Sequence, residues 1–147
     1  MAAPGFERPQ LDAITQALCE AGAQYDVVSA TLGPVKASNQ SEIEVGQTFA
    51  TASSVLYDAV CVPGGAHIEA LKATGDAKAF VEEAYGHFKT VGLSGEAACL
   101  LPLEQPEEGV VVNGDPQQFI AALTCGRHFT RIGIAVQAEP QVVLRKG

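Results

Sequence analysis

Ser94 and His67 are the side chains whose surroundings could support nucleophilic chemistry. Ser94 lies in Gly92-Leu93-Ser94-Gly95-Glu96, after the apolar run Thr90-Val91-Gly92-Leu93 and ahead of a stretch of helical character. A strand-to-helix turn is where a nucleophile elbow exposes its serine, but the elbow pattern has glycine at both ends and Glu96 takes the second place. A serine nucleophile also needs a base that a third group holds in place. Of the three histidines, His67, His87 and His128, only His67 follows a second turn of this kind, Pro63-Gly64-Gly65. No carboxylate is spaced to orient it. The backbone N–H groups of Gly64 and Gly65 could form an oxyanion hole, and a tight turn that requires glycine accounts for them equally well. Glu7 could act as a general acid or base at the same edge, although a solvated loop carboxylate is the commoner use of such a residue. For Ser94 the commoner role is a turn or helix cap. Gly64, Gly65, Ser94 and Gly95 together mark a crevice that could take a ligand.

Metal and redox chemistry find little here. Cys19, Cys61, Cys99 and Cys125 are too far apart in sequence for metal knuckles or redox dithiols, so no metal site is expected. Each lies among apolar residues and is read as a buried thiol, which fits a reducing, cytoplasmic compartment. The net charge of −8, with no basic cluster longer than Arg145-Lys146, argues against a nucleic-acid partner. No apolar run approaches the length of a membrane span. Met1-Ala2-Ala3 followed by Pro4-Gly5 does not read as a signal peptide. Asn39-Gln40-Ser41 matches a glycosylation sequon and is read as a polar turn.

The elements that would position these residues alternate. Ala59-Val60-Cys61-Val62, bounded by Asp58 and Pro63-Gly64-Gly65, reads as a fully buried strand of a parallel sheet, the one around which the chain is built. Leu11, Ile14, Ala17, Leu18 and Ala21 fall on one helical face, with Pro9 at the start and Gly22 at the end. Residues 25–29 read as a strand, and residues 31–48 as a β-hairpin or an excursion turning at Ser38-Asn39-Gln40-Ser41. A helix over 76–88, capped by Asp76, carries the stripe Phe80, Val81, Ala84 and Phe88. Then come a strand at 90–93, a helix over 95–101 closed by Pro102 and Pro106, a strand at 110–112, and a last helix capped through Asn113-Gly114-Asp115-Pro116. In that helix Phe119, Ile120, Leu123 and His128 face inward. Glu82-Glu83 and Glu107-Glu108 read as solvated faces, and His87 and His128 as complements to helix ends. The sum is an α/β chain, a flavodoxin-like three-layer sandwich around a parallel sheet. Residues 1–6 read as the tail of a first strand whose body would lie upstream. The chain is therefore expected to come from something longer, and strand-like segments at 132–136 and 141–144 could fill the gap.

Several stretches resemble the C-terminal domain of large-subunit haem catalases. They are Gly22-Ala23-Gln24-Tyr25-Asp26-Val27-Val28, Leu32-Gly33-Pro34-Val35, Ser54 through Val60 with Val62-Pro63-Gly64-Gly65, Glu83-Ala84-Tyr85 within the 80–88 helix, and Phe119-Ile120-Ala121-Ala122-Leu123 with Arg127-His128-Phe129. The resemblance runs from about 3 to 131, which implies one flavodoxin-like domain over 1–131 and leaves 132–147 as a tail. It implies membership of the superfamily of class I glutamine amidotransferases, PfpI-type proteases and deglycase-like chaperones. It also implies a parent that disproportionates hydrogen peroxide as a homotetramer, its haem held by an upstream barrel and none bound by this stretch. The catalytic relatives keep a cysteine where this chain has Leu93, and a supporting glutamate where it has Gln10, with Glu7 close by.

The resemblance thus implies a non-catalytic accessory domain that supports folding, assembly or stability of a catalase. Its partners would be the catalase core domain, sister subunits and unfolded client proteins. The alternative is a PfpI-type hydrolase or a glyoxalase- or deglycase-like enzyme using Ser94 or a cysteine.

Overall fold

The computed structural model describes residues 1–103 and 107–129. Helix α1 (Arg8–Glu20) has Pro9 in its first turn, where the missing N–H costs nothing, and turns Leu11, Ile14 and Ala17 inward. Strand β1 (Val28–Ser29) follows, then the antiparallel pair β2 (Gly33–Lys36) and β3 (Glu42–Val45), then β4 (Gln47–Thr48), which lies parallel to β1. A short 3-10 turn at Ser54–Leu56 leads to β5 (Ala59–Val62). Helices α2 (His67–Thr74) and α3 (Asp76–Gly86) come next, then β6 (Thr90–Leu93), a 3-10 segment Gly95–Leu100, β7 (Val110–Val112) and α4 (Pro116–Thr124).

Strands β5, β6 and β7 form an all-parallel sheet with β6 in the middle, Val60 opposite Val91 and Leu93 opposite Val112. Alternation along β5 splits the core into two layers. Val60 and Val62 join Val91, Leu93, Ile68, Leu71, Val81 and Leu100 on the side of α2 and α3. Ala59 and Cys61 face the opposite layer, where Leu11 and Ile14 of α1 and Phe119 of α4 pack with Phe6 and Val35. This is the expected three-layer α/β architecture. No helix among the described residues is long and apolar enough to cross a membrane.

The amino terminus joins the two groups of parallel strands. Met1 N donates to Cys61 O at 2.8 Å and Ala2 N donates to Val28 O at 2.9 Å, so these residues lie between β5 and β1 and bond to both. Phe6 then bridges Ala37 beside the hairpin and Gly65 after β5. Elsewhere β1 and β5 stand apart around a cleft of about 1200 Å³ whose walls include Tyr25, Val27, Leu56, Ala59, Ile14 and Phe119.

Several expectations are corrected. The strand read at 25–29 is regular only at Val28–Ser29, because the residues before it border the cleft and, among the described residues, have no strand on that side. Asp76 does not cap α3: Gly75, left-handed at φ 75°, ends α2 and starts α3, which puts Asp76 in the first turn near the helix's positive end. The helix read over 76–88 ends at Gly86, and Phe88 turns into the left-handed region at φ 64°. The segment after Ser94 is 3-10 in geometry. Cys19, Cys99 and Cys125 are exposed and Cys61 is half-buried, since a cysteine among apolar neighbours in sequence can still sit on the outer face of a helix or turn. Glu83 and Glu107 also do more than face solvent: Ser54 Oγ donates to Glu83 at 2.8 Å, and Tyr85 OH donates to Glu107. Pro106 and the strand-like segments at 132–136 and 141–144 lie outside the described residues.

Asp115 does cap α4. Its carboxylate accepts from Gln118 N while the Gln118 side chain accepts from Asp115 N, both at 2.9 Å. Replacing the cap, Asp115→Ala, should lower stability by about 1 kcal/mol. Urea unfolding followed by circular dichroism checks this, with an unchanged m-value showing that only the native state was weakened.

Candidate functional site

In parallel sheets the crevice beyond the carboxyl ends of the strands is where groups converge. Three backbone N–H groups point into it here, and each already has an acceptor. Gly64 N donates to Gln10 Oε1 at 2.7 Å, Gly65 N to Glu96 Oε2 at 2.7 Å, and Gly95 N to Asn113 Oδ1 at 2.6 Å. The acceptors come from α1, from the 3-10 segment and from the turn after β7. Glycine is required at 65, where φ is 118° and a Cβ would lie 2.6 Å from Gly5 O. The bond from Gly65 N–H, followed by the one from its own backbone N–H, holds the Glu96 carboxyl below its ordinary value, against a smaller opposing effect of desolvation.

Ser94 occupies the cap position of the 3-10 segment, where its backbone N–H donates to Val62 O at 3.1 Å. Its hydroxyl makes no hydrogen bond among the described residues. His67 is fully buried. One ring nitrogen, Nε2, lies 2.6 Å from Pro63 O, and the other, Nδ1, accepts from Ala3 N at 3.2 Å. A carbonyl can only accept and an amide N–H can only donate, so the proton is assigned to Nε2 and the ring is neutral. Burial pushes the His67 pKa down. The bond to Pro63 opposes that, the Met1 ammonium adds to it, and Glu96 and a backbone bond at Gly64 oppose it. Glu7 stands at the cap position of α1 without a side-chain cap bond, its backbone N–H on Gly64 O at 3.0 Å and its side chain beside Gly65.

The structure therefore gathers Gly64, Gly65, Ser94, Gly95 and Glu7 at one edge of the sheet, with His67 buried below and engaged on both nitrogens. Gln10, Glu96 and Asn113 are the crevice residues that sequence reasoning gave no acceptor role. Asn113 in a turn that closes a parallel strand was the available signal, because such turns end at the same edge as Gly95. His87, at the end of α3, bonds Glu83 O through Nδ1 at 2.8 Å. His128 lies beyond α4, buried, with Nε2 2.8 Å from Thr90 Oγ1.

The cleft between β1 and β5 is a separate feature on the opposite side of Met1. At its rim Tyr57 OH donates to Asp26 at 2.9 Å. Desolvation first, then this bond and the Asp26 charge, raise the Tyr57 pKa above its ordinary value. A tyrosinate ligand to haem iron needs a proton that leaves readily, and the two buried imidazoles have their Nε2 atoms committed to Pro63 and Thr90. Tyr57, His67 and His128 are therefore poorly placed to serve as haem ligands. Among the described residues no group of three or more His, Cys, Asp or Glu could hold a metal ion.

Comparison with known proteins agrees with this architecture. Residues 4–133 match the family model for the C-terminal domain found in long catalases. Catalase-2 of Bacillus subtilis is 34% identical over 141 residues, covering 89% of this chain and 20% of that protein. The catalase of Alkalihalophilus pseudofirmus is 35% identical over 133 residues, 86% of this chain and 20% of that protein. The chain thus spans about a fifth of the length of these curated relatives. Among solved structures, Schizosaccharomyces pombe DJ-1 superposes with a TM-score of 0.64 at 19% identity, covering 84% of this chain and 86% of that one, which establishes the flavodoxin-like fold.

Two outcomes follow from the site. The unfolded chain takes a proton on His67 near 6.5, whereas the folded chain resists it to lower pH. This contribution to stability is therefore present above 6.5 and lost as pH falls through the folded value. The stability gap between wild type and His67→Gln should shrink across that range, as urea titrations at several pH values would read. Secondly, a disulfide reagent should modify Cys19, Cys99 and Cys125 in the native chain and Cys61 much more slowly, with burial raising the Cys61 thiol pKa. Peptide mapping checks the order.

Proposed function

Because the chain belongs to the family of C-terminal domains found in long catalases, we propose that it is a non-catalytic accessory domain supporting the folding, assembly or stability of a catalase. The observation that carries this reading is the state of the crevice. The position of the relatives' nucleophile is Leu93, and the N–H groups of Gly64, Gly65 and Gly95 are closed by Gln10, Glu96 and Asn113. An oxyanion hole works through donors that are free when charge develops; these three have acceptors from the chain itself. Peroxide chemistry and its haem would belong to the remainder of a parent polypeptide, and the partners would be the catalase core domain and sister subunits of a homotetramer.

The cleft suggests how the domain is attached. Met1 N and Ala2 N already sit in ladder positions on Cys61 and Val28. A segment entering ahead of Met1, parallel to β1 and β5, would join the two groups of strands into one sheet and couple the domain's stability to the core it follows. The same apolar walls, with Tyr25 and Leu56 exposed at the rim, favour a second reading in which extended client chains bind there by strand addition.

Three measurements separate these readings. A short valine-rich segment fused ahead of Met1 should raise Tm by roughly 3–8 °C over a Gly-Ser extension of equal length, the span that about 1–2 kcal/mol produces at this size. An equal Tm for both would remove the attachment reading. Suppressed light scatter when an aggregation-prone enzyme is heated with the chain would support client binding, and unchanged scatter would remove it. Electrophilic probes should leave Ser94 unlabelled. Stoichiometric labelling that disappears in Ser94→Ala would restore the rival reading of a PfpI-type hydrolase or deglycase-like enzyme.

A further inference from the structure

Asn113 and Gly114 form a pair that the fold demands and that peptide chemistry makes labile. Asn113 is exposed, holds a left-handed backbone at φ 55°, and gives its side-chain oxygen to Gly95 N at 2.6 Å. Asparagine tolerates that conformation better than most residues and supplies the acceptor the crevice needs. At 114 a Cβ would run into Val111 Cγ1 and Gln118 Oε1, and that oxygen belongs to the cap of α4. A side chain at 114 would therefore have to displace Val111 and disturb the α4 cap. Among the described residues Gly114 N donates no hydrogen bond, and neither does the Asn113 side-chain amide nitrogen.

From this arrangement we infer that Asn113 is a site of spontaneous deamidation. The bond from Gly95 N–H draws electron density from the Asn113 side-chain carbonyl, which makes Cγ the better electrophile. Gly114 N loses its proton to solvent base and attacks Cγ. A C–N bond forms, the bond from Cγ to the amide nitrogen breaks, and that nitrogen leaves with a proton from water as ammonia. Water then opens the succinimide at one carbonyl or the other, giving aspartate or isoaspartate. Aspartate keeps its new carboxylate on Gly95 N–H, whereas in isoaspartate the former side-chain carbonyl becomes the peptide carbonyl and the new carboxylate is the former main-chain carbonyl group. The isoaspartate also adds a backbone carbon between β7 and the Asp115 cap, which misaligns α4 against the sheet. The chain's other asparagine, Asn39, is a poor competitor because a bulky Gln40 follows it. This inference does not depend on the accessory-domain reading.

The test is to incubate the native full chain in mildly alkaline buffer, then digest it and map masses, with isoaspartyl-specific methylation as a second readout. The expected result is the amide-to-acid mass gain at Asn113 ahead of Asn39, with methyl acceptance falling to background in Asn113→Gly and in Asn113→Gln. Asn113 unmodified in the native chain while it converts in the urea-unfolded chain would overturn the inference. So would a gain confined to Asn39.

Discussion

A buried backbone N–H must find an acceptor, and at the centre of this molecule that requirement falls on a few bonds from the amino-terminal residues. Met1 N and Ala2 N reach Cys61 O and Val28 O, and Ala3 N reaches His67 Nδ1. The His67 ring is in turn fixed by Pro63 O. These contacts connect two groups of parallel strands that share no ladder of their own. They also explain why a histidine beside a glycine turn is neutral and fully enclosed: its lone pair is needed by a peptide N–H, and a charged ring would face that N–H with a second donor. An amide left without a partner there would cost on the order of 1–3 kcal/mol.

The same accounting governs the crevice. Turns at the ends of parallel strands leave N–H groups pointing outward, and enzymes of related architecture can use such groups to stabilise charge. Here an amide oxygen, a carboxylate and a second amide oxygen satisfy them. Glycine at 65 is enforced by close approach to Gly5 O, a packing demand independent of any substrate.

Much of the architecture was legible in the sequence because it rests on local signals. The valine-rich runs, the paired glycines after β5, the cap before α4 and the hairpin around Ser38-Asn39-Gln40-Ser41 each announce themselves within a few residues. The misreadings have a common cause. Whether Cys19 or Cys99 faces in or out, and which side chains close the Gly64, Gly65 and Gly95 N–H groups, are settled by residues distant in the chain, whereas Gly75 displaces Asp76 as the cap of α3 through its own left-handed turn. Gln10 is the plainest case. Its bond to Gly64 spans 54 residues, and no spacing rule along α1 points to it.

Strand β6 has all four of its residues buried and a neighbour on each side, whereas β1 and β4 share a ladder of only two residues. Cooperativity is therefore uneven. The β1–β4 side can open as a local unit while β5, β6 and β7 stay closed, so its amides exchange with solvent through fluctuations well short of complete unfolding. Whatever settles between β1 and β5 acts on that weaker unit, and a modest local gain there would turn a two-tier protein into one that melts as a whole.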